Sequence, residues 1–239
     1  MLHKMIVIDN FFNDPFEIRE LGLKQEFWYP YDQGALGSAK GEGGKYQAGS
    51  WPGKRSKRFE DMGDTLNNLK KDIENKINKR CGLNVKYISA RFTLIGADDG
   101  ELWIHKDFYP EKQVDKYNYA GVIYLSPNPE IGTGTYVYDV NEKYPSEARK
   151  KIEDTYWKEV CDQVKDKRYN YRADKLDKEN NEVYDDYFIE SIYCEAKFNR
   201  LFLYDGAYYH GTRWNGSGLT PETKRMTITF FASDFDEMK

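Results

Sequence analysis

The chain has 239 residues, of which 39% are hydrophobic, 32% charged and 16% aromatic, with a formal net charge of −4. That length supports one good core, and the aromatic share, with 20 Tyr, excludes a disordered chain. Lys and Arg are scattered rather than gathered into a stripe, which argues against nucleic acid as an obligatory partner.

No run approaches the roughly 18 apolar residues of a membrane span, and "MLHKMIVIDNFF" lacks the cleavage site of a secretory leader. Cys81, Cys161 and Cys194 are odd in number and widely spaced, with no CxxC, which argues against a zinc finger or a disulfide framework. A reducing cytoplasm is the expected location, a host's cytoplasm should the chain be of viral origin.

Residues 5–12, "MIVIDNFF", predict a first strand. In "NDPFEIRELGLKQ" Asp14 is placed to cap a helix, with Pro15 at its first position and Glu17 completing a capping box. Residues 32–50 are Gly-rich and read as a loop, and "WPGKRS" (51–56) as a turn beside basic residues. From Asp64 to Arg80, Leu66, Leu69, Ile73 and Ile77 recur at helical spacing, and Gly82 is suited to stop the helix.

Beyond Gly82 the period changes to two. Residues 84–95, 117–125, 134–140, 187–194, 199–205 and 224–233 read as strands separated by turn residues. The fold class expected is mainly β with flanking helices, a barrel or sandwich rather than a βαβ fold. Residues 141–186 are strongly charged and interrupt the strands, and within 147–164 the residues Ile152, Trp157, Val160, Cys161 and Val164 share one helical face. They predict a helix-plus-loop insertion, either a lid or a solvated excursion. A single domain over 1–239 is expected, with helical support in 1–83, core strands in about 84–140 and 187–233, and the insertion at about 141–186.

The chain has three histidines. His3 is terminal and has no role in this reading. His105, in "GELWIHKDFYP", stands two residues before Asp107, and at a strand end two such side chains point the same way. The pair reads either as metal ligands or as a polar strand end. His210, in "YDGAYYHGTRW", could supply a third ligand if the sheet closes, or be a satisfied core histidine. Two His and one carboxylate on one face of a six-coordinate metal suit Fe(II). In "KRMTITFF", alternation puts Arg225, Thr227 and Thr229 on one face of the last strand. An arginine inside a small barrel is costly unless an anion pairs with it, and a dicarboxylate fits a guanidinium bidentately.

Taken together, "HKD", "GVIYLSPNPEIGTGTYVYD", "YDGAYYHGTRW" and "KRMTITFF" resemble the Fe(II)/2-oxoglutarate-dependent oxygenases, within them the prolyl-hydroxylase-like branch. The opening "VIDNFFNDPFEIRE" is similar to members of phage and bacterial origin, and the resemblance covers roughly residues 5–140 and 188–233. It implies a double-stranded β-helix (jelly-roll, cupin-like) core. It also implies His105, Asp107 and His210 as catalytic iron ligands, and Arg225, Thr227 and Tyr124 as contacts of 2-oxoglutarate.

The cofactors implied are Fe(II), 2-oxoglutarate as cosubstrate, and O2, with an unactivated C–H hydroxylated and succinate and CO2 as co-products. Relatives that halogenate replace the acid with a small residue, so retained Asp107 points to hydroxylation. Where many relatives carry a Tyr before H-x-D, this chain has Thr93 and Ile95. Arg91, Arg213, Trp214 and the stretch Trp51 to Arg55, Arg55 above all, are candidate contacts of a small-molecule or peptide substrate. The competing readings are a non-catalytic jelly-roll binding protein and a cupin-like metalloenzyme that does not use 2-oxoglutarate. The substrate and the oligomeric state are not legible.

Overall fold

The structure, a computed structural model, describes residues 5–28, 53–96, 102–107, 118–166, 178–212 and 225–234. In chain order these form β1 (Ile6–Ile8), α1 (Pro15–Leu23), β2 (Lys54–Arg55), a 3-10 turn (Phe59–Asp61), α2 (Asp64–Cys81), β3 (Tyr87–Ile95), β4 (Leu102–His105) and β5 (Tyr119–Tyr124). Then follow β6 (Thr135–Val140), α3 (Ser146–Asp166), α4 (Lys178–Tyr187), β7 (Phe188–Cys194), β8 (Leu201–Asp205), β9 (Tyr209–Thr212) and β10 (Arg225–Ser233).

The strands make two antiparallel sheets, a large one ordered β1-β8-β5-β10-β3-β2 and a small one ordered β4-β9-β6-β7. From β3 to β10 the chain crosses between the sheets at every step except β6 to β7, which pair within the small sheet. That winding is the double-stranded β-helix expected from the sequence.

Strand alternation gives the large sheet two chemically different faces. Ile88, Ala90 and Phe92 of β3, Ile123 of β5, Leu201 and Leu203 of β8, and Met226, Ile228 and Phe230 of β10 form one core cluster. Leu66, Leu69, Ile73 and Ile77 of α2 join that cluster, which is why a helix of mostly charged sequence holds there. Each such side chain stabilises the fold by about 1.5–3 kcal/mol on burial.

Gly82 ends α2 in the left-handed region at φ 64°. A Cβ on Gly121 of β5 would stand 2.1 Å from the Phe230 ring, so that close packing requires glycine. At the start of α1, Asp14 accepts the Glu17 N–H at 2.9 Å and Pro15 begins the helix. The other face of the large sheet looks into the roll, where Ala120, Val122, Tyr124, Phe202 and Tyr204 meet Val137 and Cys194.

Several expectations are corrected. The first strand stops at Ile8, because Asn10 takes φ 54°, and the chain then drops Phe11 and Phe12 into the core. Asn199 holds them there: its side chain accepts from the Phe12 N–H and donates to the Phe12 carbonyl, both at 2.8 Å. Within the stretch read as a turn, Lys54 and Arg55 form a short strand along β3, since their backbone finds partners there. The insertion contains a second helix, α4, although its sequence has little aliphatic content.

Nor are the described helices of the insertion solvated on all sides. Tyr156, Tyr184 and Tyr187 pack with Tyr138, Phe188 and Tyr209 over the small sheet, with Ile152 and Trp157 against them. Tyrosine bulk supplies the apolar surface that aliphatic counting overlooks. The side chains of Val160, Cys161 and Val164, and the loop at 32–50, lie outside the described residues. No helix among the described residues is long and apolar enough to cross a membrane. Cys81 and Cys194 are free thiols.

Candidate metal and cosubstrate site

β4 and β9 are each four residues long, and their register places His105 directly opposite His210. The two imidazole rings lie 4.2 Å apart between centroids, and both residues are buried. Asp107 lies past the end of β4, so strand alternation alone does not bring it to His105. Its backbone N–H donates to the Gly206 carbonyl at 2.9 Å, which ties the loop after β4 to the turn between β8 and β9 and folds the carboxylate back.

Asp107 Oδ1 then stands 3.3 Å from His105 Nε2, and Oδ2 stands 3.0 Å from His210 Nε2. One ligand atom from each of the three residues lies within 4.8 Å of the others. His210 Nδ1 is 3.0 Å from the Tyr208 carbonyl, which can only accept, so Nδ1 carries the hydrogen and Nε2 presents a lone pair. A lone pair facing a carboxylate oxygen at hydrogen-bond distance requires a cation between them, either a proton or a metal ion. Burial pushes the Asp107 carboxyl up, but the charge of His210 and hydrogen bonds from both histidines outweigh it and hold the group below the usual carboxylate range. The donor set therefore fits a divalent metal, with oxygen and nitrogen ligands on one side and open space on the other.

That open space is a cavity lined by Asp107 and His210 and, from the large sheet, by Arg55, Arg91, Thr229 and Arg225 among others. Arg225 is buried, donates from Nε to the Thr133 carbonyl at 2.8 Å, and lies 5.4 Å from the centroid of the Tyr124 ring. Burial lowers its pKa and the Tyr124 hydroxyl opposes that shift.

Tyr124 and Thr227 are directly paired across β5 and β10. Neither is among the residues described as lining the cavity, and the Tyr124 hydroxyl shares a 2.8 Å hydrogen bond with Thr135 Oγ1. Thr227 Oγ1 is fully buried with no hydrogen-bond partner among the described residues, an orphaned hydroxyl at the arginine end of the site. A buried guanidinium beside an unsatisfied hydroxyl fits a dicarboxylate.

Of the remaining residues singled out from sequence, Arg55 and Arg91 line the cavity, whereas Arg213, Trp214 and Trp51 lie outside the described residues. Sequence reasoning missed Thr133 and Thr135, which support Arg225 and Tyr124; their alternation after the Gly-rich turn was the available signal. It also missed Tyr204, whose ring lies 4.7 Å from that of His210. Tyr156, which accepts the Ile104 N–H at 2.8 Å, carried no signal, because α3 and β4 are distant in sequence.

The fold and site together define a double-stranded β-helix carrying a buried His–Asp–His cluster, and solved structures share the fold. HygX from Streptomyces hygroscopicus, with nickel and 2-oxoglutarate bound, superposes with a TM-score of 0.55 at 12% identity, over 99% of this chain and 86% of that one. The carbocyclase SnoK from nogalamycin biosynthesis does so with 0.51 at 10% identity, over 97% and 80%. A prolyl-4-hydroxylase from Pseudomonas putida gives 0.49 at 11% identity, over 97% and 93%. No curated protein sequence matches. The chain belongs to a family of unknown function, DUF6445, whose profile matches residues 2–232.

Proposed function

We propose that this protein is an Fe(II)- and 2-oxoglutarate-dependent oxygenase of the prolyl-hydroxylase-like branch that hydroxylates an unactivated C–H bond. The observation that carries the reading is the convergence of His105, Asp107 and His210 beside a cavity lined by Asp107, His210 and the buried Arg225. In this reading His105 and His210 bind the metal through Nε2 and Asp107 through its carboxylate. Bound there, iron with 2-oxoglutarate and O2 supplies an oxidant at the expense of decarboxylation to succinate and CO2.

The chain's own part is positional. The Tyr208 carbonyl keeps the His210 tautomer correct for a ligand. Arg225, steadied by Thr133, receives the distal carboxylate of the cosubstrate, and Thr227 offers that carboxylate its hydroxyl. Tyr124 packs under the guanidinium. Tyr204 and the walls of the roll keep water from the reacting centre.

The test is anaerobic titration of the apoprotein with Fe(II) and 2-oxoglutarate, watching for the visible charge-transfer band of the chelated complex. The band is expected in the wild type, absent in His105→Ala and weakened in Arg225→Ala. A folded, metal-loaded wild type without the band would overturn the reading in favour of a jelly-roll binding protein or a metalloenzyme that does not use 2-oxoglutarate.

A further inference from the structure

A buried phenol faces the cavity and has no part in the His–Asp–His cluster. Tyr204 of β8 is 3% exposed, lines the cavity, and lies with its ring 4.7 Å from that of His210 and 4.9 Å from that of Phe202. Strand alternation turns Phe202 and Tyr204 to the same inner face of the large sheet. Phe202 fills its place there with a plain phenyl ring, so packing does not explain the oxygen that Tyr204 adds. The cross-strand partner of Tyr204 is Ala120, a small residue that lines the same cavity and leaves room beside the phenol. Among the described residues the Tyr204 hydroxyl has no hydrogen-bond partner, whereas that of Tyr124 is tied to Thr135 at 2.8 Å. A hydroxyl taken out of bulk water with nothing to bond is a cost that phenylalanine avoids.

We propose that Tyr204 is a cosubstrate-binding residue, its hydroxyl donating a hydrogen bond to the 2-oxo-acid carboxylate that chelates the metal. The inference rests on the oxygenase reading. The place of the ring carries it: His210 is a metal ligand in that reading, and the phenol packed against it lines the same cavity as Asp107 and Arg225. The charges of Asp107 and Arg225 both reach the phenol, so it stands along the path of a dicarboxylate that runs from the cluster to the arginine. Burial first, then the charges of Asp107 and Tyr124, raise the pKa of Tyr204, and Arg225 opposes them. The group is therefore a protonated donor, and a carboxylate can only accept. Arg225 and Thr227 serve the distal carboxylate and Tyr204 the one at the metal. Held at both ends, the cosubstrate has one direction in which to chelate.

The experiment is an anaerobic titration of the Fe(II)-loaded protein with 2-oxoglutarate, in the wild type and in Tyr204→Phe, which keeps the ring against His210 and removes the hydroxyl. Metal affinity is measured separately, by competition with a chelator in the absence of cosubstrate. The variant is expected to bind 2-oxoglutarate about tenfold more weakly, as for loss of a hydrogen bond to a charged group. Its charge-transfer band is expected at shorter wavelength, because a hydrogen bond to the chelating group stabilises the electron that group receives. Metal affinity is expected to match the wild type. A variant equal to the wild type in cosubstrate affinity and band position overturns the inference and leaves the phenol as a wall of the roll. A metal affinity that falls by the same factor also overturns it, since the phenol then supports His210 and not the cosubstrate. A wild type that binds Fe(II) but shows no band overturns the oxygenase reading, and this inference with it.

Discussion

The large sheet is covered on its outer face by aliphatic and phenyl side chains, with Leu66, Ile73 and Ile77 of α2 against Ile88, Phe92 and Ile228. The small sheet is covered by Tyr156, Tyr184 and Tyr187 from the insertion, against Tyr138, Phe188 and Tyr209. Aliphatic burial is strong but has no direction, and it serves a frame whose strands are long and whose hydrogen bonds are made within the sheet. Tyrosine adds a hydroxyl that can be aimed.

The small sheet needs aiming, because β4 is one of its two edge strands among the described residues and an edge presents backbone groups that seek partners. The hydroxyl of Tyr156 receives the Ile104 N–H next to His105, and its ring meets Phe188 of β7 at 5.2 Å between centroids, which in turn meets Tyr209, next to His210, at 5.0 Å. The cover therefore sets the position of the two short strands that carry the cluster. The large sheet supplies rigidity and the buried Arg225.

If the division is real, the two covers respond differently to damage. Phe92→Ala opens a void against Phe59, whose ring lies 4.8 Å away, and is expected to lower stability by about 3–5 kcal/mol. Urea unfolding measures the loss, and metal affinity of the remaining folded protein should not change; a parallel fall in affinity would show that the sheets do not act separately. Tyr156→Phe keeps the ring and leaves the Ile104 N–H without its acceptor, at a cost of about 1–3 kcal/mol. Its signature is a metal affinity reduced by about tenfold, read by competition with a chelator, as for loss of a group that orients a ligand. Equal affinity would reduce the insertion to a lid over the sheet.

The smallest effect belongs to a polar tie at the edge of the large sheet. Asp9, just past β1, meets Arg200 Nε at 2.6 Å and Lys197 Nζ at 2.8 Å. Hydrogen bonds from Arg200 and then Lys197 lower its carboxyl from 3.8 to about 2. A lowered folded-state pKa stabilises above the unfolded value and loses that contribution as pH falls, here between about 4 and 2. Because the group is more than a third exposed, Asp9→Asn should cost less than about 1 kcal/mol at neutral pH. Thermal melts down a pH series should show a shallower acid loss in the variant; identical slopes would mean that the tie contributes nothing.

Period-two alternation was legible in the sequence for six strands, as was the α2 stripe of Leu66, Leu69, Ile73 and Ile77. These signals are local, and burial on one face imposes them. β4 and β9 escaped period counting because four residues carry too little pattern, and they were reached through His105 and His210 instead. The helix α4 was hidden because its buried residues are tyrosines in a charged background. Asn10, which ends β1, takes a left-handed φ that asparagine adopts readily but that no periodicity announces.

By itself, the sequence determined the class of fold, the identity of the three converging side chains and the presence of an interior arginine, because spacing and residue chemistry are properties of the chain. Tertiary structure decided the rest. It set His105 opposite His210, folded Asp107 back through Gly206, put Thr133 and Thr135 under Arg225 and Tyr124, brought Arg55 beside Arg91, and pressed Tyr156 onto the strand before His105. Each of these contacts joins elements that are separate in the chain, and their geometry exists only once the two sheets have closed on each other.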